Sequence, residues 1–165
     1  MSDHPEHTAE QVEQVTDLVD EFVDRTLNAL DVGEDFVDEI GYDQGRIVVD
    51  LDGDEDDIAL VIGRRGQTLD AIQYLANAVV VNGCEEPIPV YVEAHGYRER
   101  RARQLRKQAD RAVAQVIRSG SPVELDPMTA SERKVIHLYL RDNEEIETES
   151  AGTEPNRRLV IHPAD

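Results

Sequence analysis

The sequence predicts a mixed α/β (α+β) protein of two small domains, and three observations carry that expectation. Segments with helical and with strand periodicity follow one another along the chain in the order αββααβ, and then a second set begins with a helix. The 165 residues suffice for one ordinary domain or two small ones, each with a modest core. The charge also changes partway: residues 1–60 hold 20 acidic and 2 basic side chains, whereas residues 61–165 hold 16 acidic and 15 basic. The overall charge of −19 is therefore almost wholly N-terminal, and local charge can override the total beyond a screening length of about 8 Å.

Residues 1–8 are polar and expected to be flexible, and Thr8 with Gln11 forms a capping box that opens a helix. Val12, Val15, Val19, Phe22, Val23, Leu27 and Leu30 then recur at helical spacing, up to a stop expected near Gly33. A weakly patterned strand is expected around Phe36–Tyr42. A clear one follows, in which Ile47, Val49 and Leu51 alternate with Arg46, Val48 and Asp50, and "YDQG" turns the chain between them. Asp56 and Asp57 are expected to cap a short helix running to Ile62. Two glycines interrupt it, and a second helix from about Gln67 places Leu69, Ile72, Leu75, Ala76 and Val79 on its core side. Ile88, Val90, Val92 and Ala94 alternate as the last strand of the first domain, which is expected to end near residue 96.

The second domain, 97–165, is expected to set helices on a small three-stranded sheet. A helix over Tyr97–Ser119 carries Leu105, Ala109, Ala112, Val113 and Val116 on one stripe and stops at Gly120. Between Arg98 and Arg118 there are 8 basic and 2 acidic residues, with Arg100, Arg103, Lys107, Arg111 and Arg118 opposite the apolar stripe. A strand at Val123–Leu125, a helix from Ala130 to about Arg141, and strands at Glu145–Ser150 and Arg157–His162 complete the pattern.

Several function classes are disfavoured. The longest apolar runs, "IALVI" and "AVVV", are too short to span a bilayer, and the N-terminus has neither the basic flank nor the apolar core of a signal peptide, so the expected location is the cytoplasm with no direct membrane insertion. Cys84 is the single cysteine and the five histidines fall at no ligand spacing, which predicts no disulfide, no metal site and no cofactor. There is no GxxxxGK[ST] phosphate loop and no nucleophile paired with a base, so no catalytic residue is assigned and an enzyme is not expected.

In "VIGRRGQTLDAIQYL", Gly63 and Gly66 bracket Arg64 and Arg65 ahead of a helix. Glycine permits positive φ and close approach of a ligand backbone. The helix N-terminus favours anions, and guanidinium groups add charge-assisted contacts to phosphate. On spacing alone the plainer reading, a helix–turn–helix connection with solvated arginines, is preferred. The position of the motif within αββααβ, after Val61-Ile62 and before Leu69, resembles a type II KH domain over residues 9–96. That resemblance implies a GXXG loop that clamps about four nucleotides of single-stranded RNA or DNA.

In "TASERKVIHLYLRD", Thr129 and Glu132 form a second capping box, and Arg133, His137, Arg141 and Lys134 share an arc of about 100°. By spacing this is the ordinary polar face of an amphipathic helix, so both Arg133 and His137 are expected to be exposed and replaceable by alanine without loss of the fold. Arg133-x-x-x-His137 followed by "TESAGTEPNRRLVIHP" is similar to the single-strand-binding domain named for an arginine and a histidine at that spacing. The similarity implies that Arg133 and His137 contact phosphate or nucleotide. Lys134, Arg141, Arg157 and Arg158 join them on charge and position.

The two units in tandem resemble the Jag family, also called KhpB or EloR, bacterial RNA-binding proteins linked to cell elongation and division. Many members carry a further N-terminal Jag domain and linker that this sequence lacks. The resemblance implies a non-enzymatic regulator that binds single-stranded RNA, and pairing with a second small KH protein. The rival expectation is an assembly adaptor that pairs through its KH-like fold or docks a basic partner on its acidic first segment.

Overall fold

Helix α1 (Ala9–Leu30) begins where the Gln11 amide donates to the Thr8 hydroxyl at 3.2 Å and the Thr8 amide donates to the Gln11 side chain at 2.7 Å. The reciprocal pair satisfies two backbone donors that the first turn leaves unpaired. Its buried stripe is Val15, Val19, Val23 and Leu27, each one helical turn beyond the last. The helix closes on Asp31 in the left-handed region at φ 58°. The structure, a computed structural model, describes residues 7–32 and 36–164. Gly33, the expected stop, and most of the N-terminus expected to be flexible lie outside the described residues.

Strands β1 (Val37–Asp43) and β2 (Arg46–Asp52) form an antiparallel hairpin in which Asp43 pairs with Arg46. Gln44 and Gly45 between them both take positive φ, the turn whose twist matches that of the flanking strands. Ile47, Val49 and Leu51 of β2 are fully buried, as their alternation requires.

Helix α2 (Glu55–Ile62) departs from expectation at its cap. Asp54, not Asp56 or Asp57, holds the extended backbone of a cap residue, and its carboxylate accepts from the amides of both at 3.0 Å. The aspartates of the first turn contribute charge towards the positive helix end. A short 3-10 turn, Arg64–Gly66, leads into α3 (Gln67–Gly83), whose buried residues are Leu69, Ile72, Ala76 and Val80. Leu75, assigned to the core by periodicity, is exposed, and Val79 is only half-buried. The inner face is fixed by packing against α1 and β3, which continues Ile72 to Ala76 to Val80 in four-residue steps and turns Leu75 outward.

Strand β3 (Val90–Ala94) lies parallel to β2 and completes the sheet in the order β1-β2-β3. Two polar residues of α3 satisfy its edge. Asn77 donates to the Val90 carbonyl at 2.8 Å and accepts from its amide at 3.0 Å, and Gln73 accepts from the Val92 amide at 3.0 Å. Side-chain amides here replace the missing neighbour strand, so these polar groups are structural.

Register places Glu39, Asp50 and Glu93 side by side across the three strands. Desolvation first, then the carboxylates of Glu93, Asp52 and Glu39, push the Asp50 carboxyl above its usual value of 3.8, against an opposing pull from His95. A carboxyl raised in the folded state binds more protons folded than unfolded, so it lowers stability above its folded pKa, and that penalty vanishes below 3.8. Asp50→Asn is therefore expected to raise the Tm at neutral pH, with a gain that shrinks towards about pH 4. Thermal melts across that range check it, and a gain independent of pH would contradict the assignment.

The described chain divides into two units, Met1–Tyr97 and Arg98–Asp165. In the second, α4 (Tyr97–Ser119) buries Leu105, Ala109, Ala112 and Val116 and gives way at Gly120, whose φ is positive. Strand β4 (Val123–Glu124), helix α5 (Ala130–Leu140), strand β5 (Ile146–Ala151) and strand β6 (Arg158–Pro163) follow. The sheet order is β4-β6-β5, antiparallel throughout. Leu105, Val116, Ile136, Leu159 and Ile161 stand at the centre of its core, each contributing about 1.5–3 kcal/mol by burial.

Candidate nucleic-acid interface

The glycines of the first motif are required by geometry. Gly63 closes α2 at φ 67°, ψ −176°, a combination essentially confined to glycine. A Cβ there would lie 2.0 Å from the Thr68 hydroxyl and 3.1 Å from the Thr68 amide nitrogen, because the loop folds back on the first turn of α3. Gly66 has φ 77°, and a Cβ on it would meet the Tyr97 ring at 2.8 Å. Between them Arg65 sits in the left-handed region at φ 55°, uncommon for a residue with a side chain. Arg64 and Arg65 are both exposed.

Helix α3 starts at this loop with no side-chain cap; its first amide, that of Gln67, donates to the Arg64 carbonyl, and the positive end of the helix lies directly behind the loop. Asp70 is the acidic residue of that first turn, one negative charge against two positive. The acidic start of α2 lies a helix length of eight residues away, about 12 Å at 1.5 Å per residue and so beyond the screening distance of about 8 Å. The loop thus sets two exposed guanidinium groups at the positive end of a helix within a largely acidic unit.

In the second unit the predicted cationic arc is divided. Arg133 is buried, 8% exposed, contrary to expectation. Its guanidinium donates to the Met128 carbonyl at 2.7 Å and to the Glu154 carboxylate at 2.8 Å. The physical reason lies in the helix phase: α5 buries Glu132, Arg133, Ile136 and Leu140, an arc of about 100° whose two ends are Glu132 and Arg133. The loop before β6 covers the Arg133 end. Alanine replacement of Arg133 is therefore not a surface change, and the expectation of an intact fold in its absence is withdrawn.

His137 is exposed as expected, and its Nδ1 lies 2.7 Å from the Thr148 hydroxyl on β5. Together with Arg141, Glu147 and Thr148 it lines a shallow cavity of about 290 Å³. Arg141 also meets Asp142 at 3.2 Å, and Lys134 is exposed. Arg158 donates to Glu124 at 2.9 Å, which directs its charge towards β4. Arg157 is half-buried, and its carbonyl accepts from the Met128 amide at 3.1 Å. The structure thus brings His137 and Arg141 together and places Arg133 and Arg157 around Met128.

Two residues of this region have roles beyond the capping and helix charge that spacing assigns them. Glu132 is buried, caps the helix through the Thr129 amide at 3.0 Å, and with its other oxygen receives Arg101 of α4 at 2.6 Å. The spacing Glu132, Ile136, Leu140 could have signalled a buried carboxylate, and a buried carboxylate calls for a cation. Exposed cations on α4 include Arg100, Arg103, Lys107, Arg111 and Arg118. No described helix is long and apolar enough to cross a membrane, and no group of three or more metal-ligating side chains among the described residues could hold a metal ion.

Comparison with known proteins adds two family matches. The family described as "KhpA/KhpB, KH domain" matches residues 13–90, and the domain family named for its Arg-x-x-x-His pair matches residues 103–163. A protein of Clostridium symbiosum named RNA-binding protein KhpB is 35% identical over 153 residues, covering 93% of this chain and 68% of that protein. Proteins of the same name are 35% identical in Lactiplantibacillus plantarum over 74% of this chain, and 39% identical in Bacillus subtilis over 62% of it. The chain spans 38% and 50% of the length of those two relatives.

Proposed function

The chain belongs to the KhpB family, and from that premise we propose that it is a non-enzymatic, cytoplasmic RNA-binding regulator that grips single-stranded RNA at two places. The first is the Gly63–Gly66 loop, where Arg64 and Arg65 contact phosphates at the positive end of α3. The second is the outer face of α5, where His137 and Arg141 meet the strand with Lys134 beside them. Arg133 holds the loop before β6 in place under that face instead of contacting the ligand. The observation that carries the reading is the glycine-enforced fold of the loop, with two exposed guanidinium groups at the positive end of α3. The resemblance to the Jag family extends the proposal to post-transcriptional control linked to cell elongation and division.

The test is a titration of short single-stranded RNA with the Arg64→Ala, Arg65→Ala variant at several salt concentrations. Each phosphate contact contributes roughly 0.7 to the log–log salt slope of single-strand binding, so the double variant should flatten it by about 1.4. Base preference should change little, because phosphate contacts position a strand and base edges specify it. Single-stranded DNA run in parallel separates the two nucleic acids.

A second reading rests on α3. Tyr74, 74% exposed, with Leu75 and Val81, forms an outward apolar stripe, within an arc of about 120°. Such a face suits pairing with a second small KH protein and would make the chain an assembly adaptor. An unchanged salt slope in a folded loop variant would favour that reading.

A further inference from the structure

The second unit carries another surface, apart from the His137 cavity. An open groove of about 780 Å³ runs between the second half of α4 and the turn from α5 to β5. Val113, Ile117 and Tyr139 supply apolar surface, the last two 51% and 45% exposed. Asp110, Asp142, Glu144 and Glu145 surround it with carboxylates. Tyr139 is held in place: its hydroxyl donates to Asp110 at 2.9 Å, and the Arg106 guanidinium lies 5.8 Å from the ring centroid. The aromatic is thus oriented in advance, and its face already attracts one guanidinium.

The chemistry of the groove selects its occupant. Four carboxylates against the nearby Arg106 and Arg141 leave the groove net negative, which disfavours phosphate on this face. Exposed aliphatic and aromatic side chains among carboxylates complement a segment bearing both apolar and cationic groups. Asp142 already neighbours Arg141 at 3.2 Å in an exposed pair that adds little stability, which leaves Glu144 and Glu145 the larger share of the attraction. We propose that this groove docks a basic amphipathic segment of a partner protein. Lysine or arginine side chains would meet Glu144, Glu145 and Asp142, and an aliphatic side chain would cover Ile117 and Tyr139. The unit would then face RNA with His137 and a basic protein segment with the groove.

The test is titration of the isotope-labelled full chain with a synthetic amphipathic lysine–leucine peptide, followed by amide NMR, with a glutamate–leucine peptide of equal length as control. Amide shifts should concentrate at residues 110–117 and 139–145 with the basic peptide and be absent with the acidic one. Glu144→Lys with Glu145→Lys should weaken peptide binding about tenfold. Ile117→Ser should weaken it several-fold, and both variants should keep the RNA affinity of the parent. Shifts confined to the acidic face of α1 would overturn the proposal, as would full binding by Ile117→Ser, since either means that a polycation is merely finding negative charge. Concentration-dependent shifts at the groove without peptide would assign it to a second copy of this chain and overturn it equally.

Discussion

Gly63→Ala is expected to destabilise the first unit by about 2–5 kcal/mol and to remove most of its single-strand binding. The backbone at φ 67°, ψ −176° accounts for about 1–3 kcal/mol for any residue with a Cβ. The rest is steric. The Thr68 hydroxyl at 2.0 Å could rotate away, but the Thr68 Cβ at 2.8 Å and amide nitrogen at 3.1 Å belong to the first turn of α3 and move only with it. Relief of the clash would tilt the helix N-terminus that the loop is proposed to aim at phosphate, so stability and binding should fall together. Gly41→Ala is the control. Gly41 has no atom within 4 Å of a built Cβ and no positive φ, and its replacement should stay within about 0.5 kcal/mol. Thermal melts and RNA titration of the two variants settle the matter. A Gly63→Ala protein with parental Tm and affinity would mean that the loop relaxes without consequence and that its glycines carry no function.

The second large effect is expected from Arg133→Ala, at about 2–4 kcal/mol against the second unit. Two charge-assisted hydrogen bonds are lost, and the buried Met128 carbonyl is left without its donor. The Glu154 side chain is 59% exposed and regains water, so the loss falls short of that for a fully buried ion pair. For a unit of this size, each kcal/mol lowers the Tm by roughly 4–8 °C. His137→Ala should leave the Tm nearly unchanged while weakening RNA binding, because His137 is exposed and its ring bonds only peripherally to Thr148. Arg133→Lys should fall between the two, retaining the charge but not the planar pair of donors. Loss of RNA affinity in an Arg133→Ala protein with parental Tm would make Arg133 a direct ligand and reverse the roles proposed here.

Much of the architecture was legible because it is written in short-range periodicity. The four-residue steps from Val15 to Leu27, the alternation of Ile47, Val49 and Leu51, the capping boxes at Thr8 and Thr129, and the glycine after α4 are each local patterns that one element imposes on its own sequence. The GRRG turn was equally visible, since its glycines are required by backbone conformation within a few residues. What the sequence determined by itself was therefore the order of elements, the two small α/β units and the position of the loop. The tertiary structure decided which members of each amphipathic arc lie inside. Leu75 turned outward because α1 and β3 take the Ile72–Ala76–Val80 face of α3, and Arg133 turned inward because the Met128 carbonyl and Glu154 receive it from segments on either side of α5. A residue at the edge of an arc is equally compatible with core and solvent by spacing. Its fate depends on the shape and hydrogen-bonding groups of the element packed against it, which a periodic pattern within one helix does not encode.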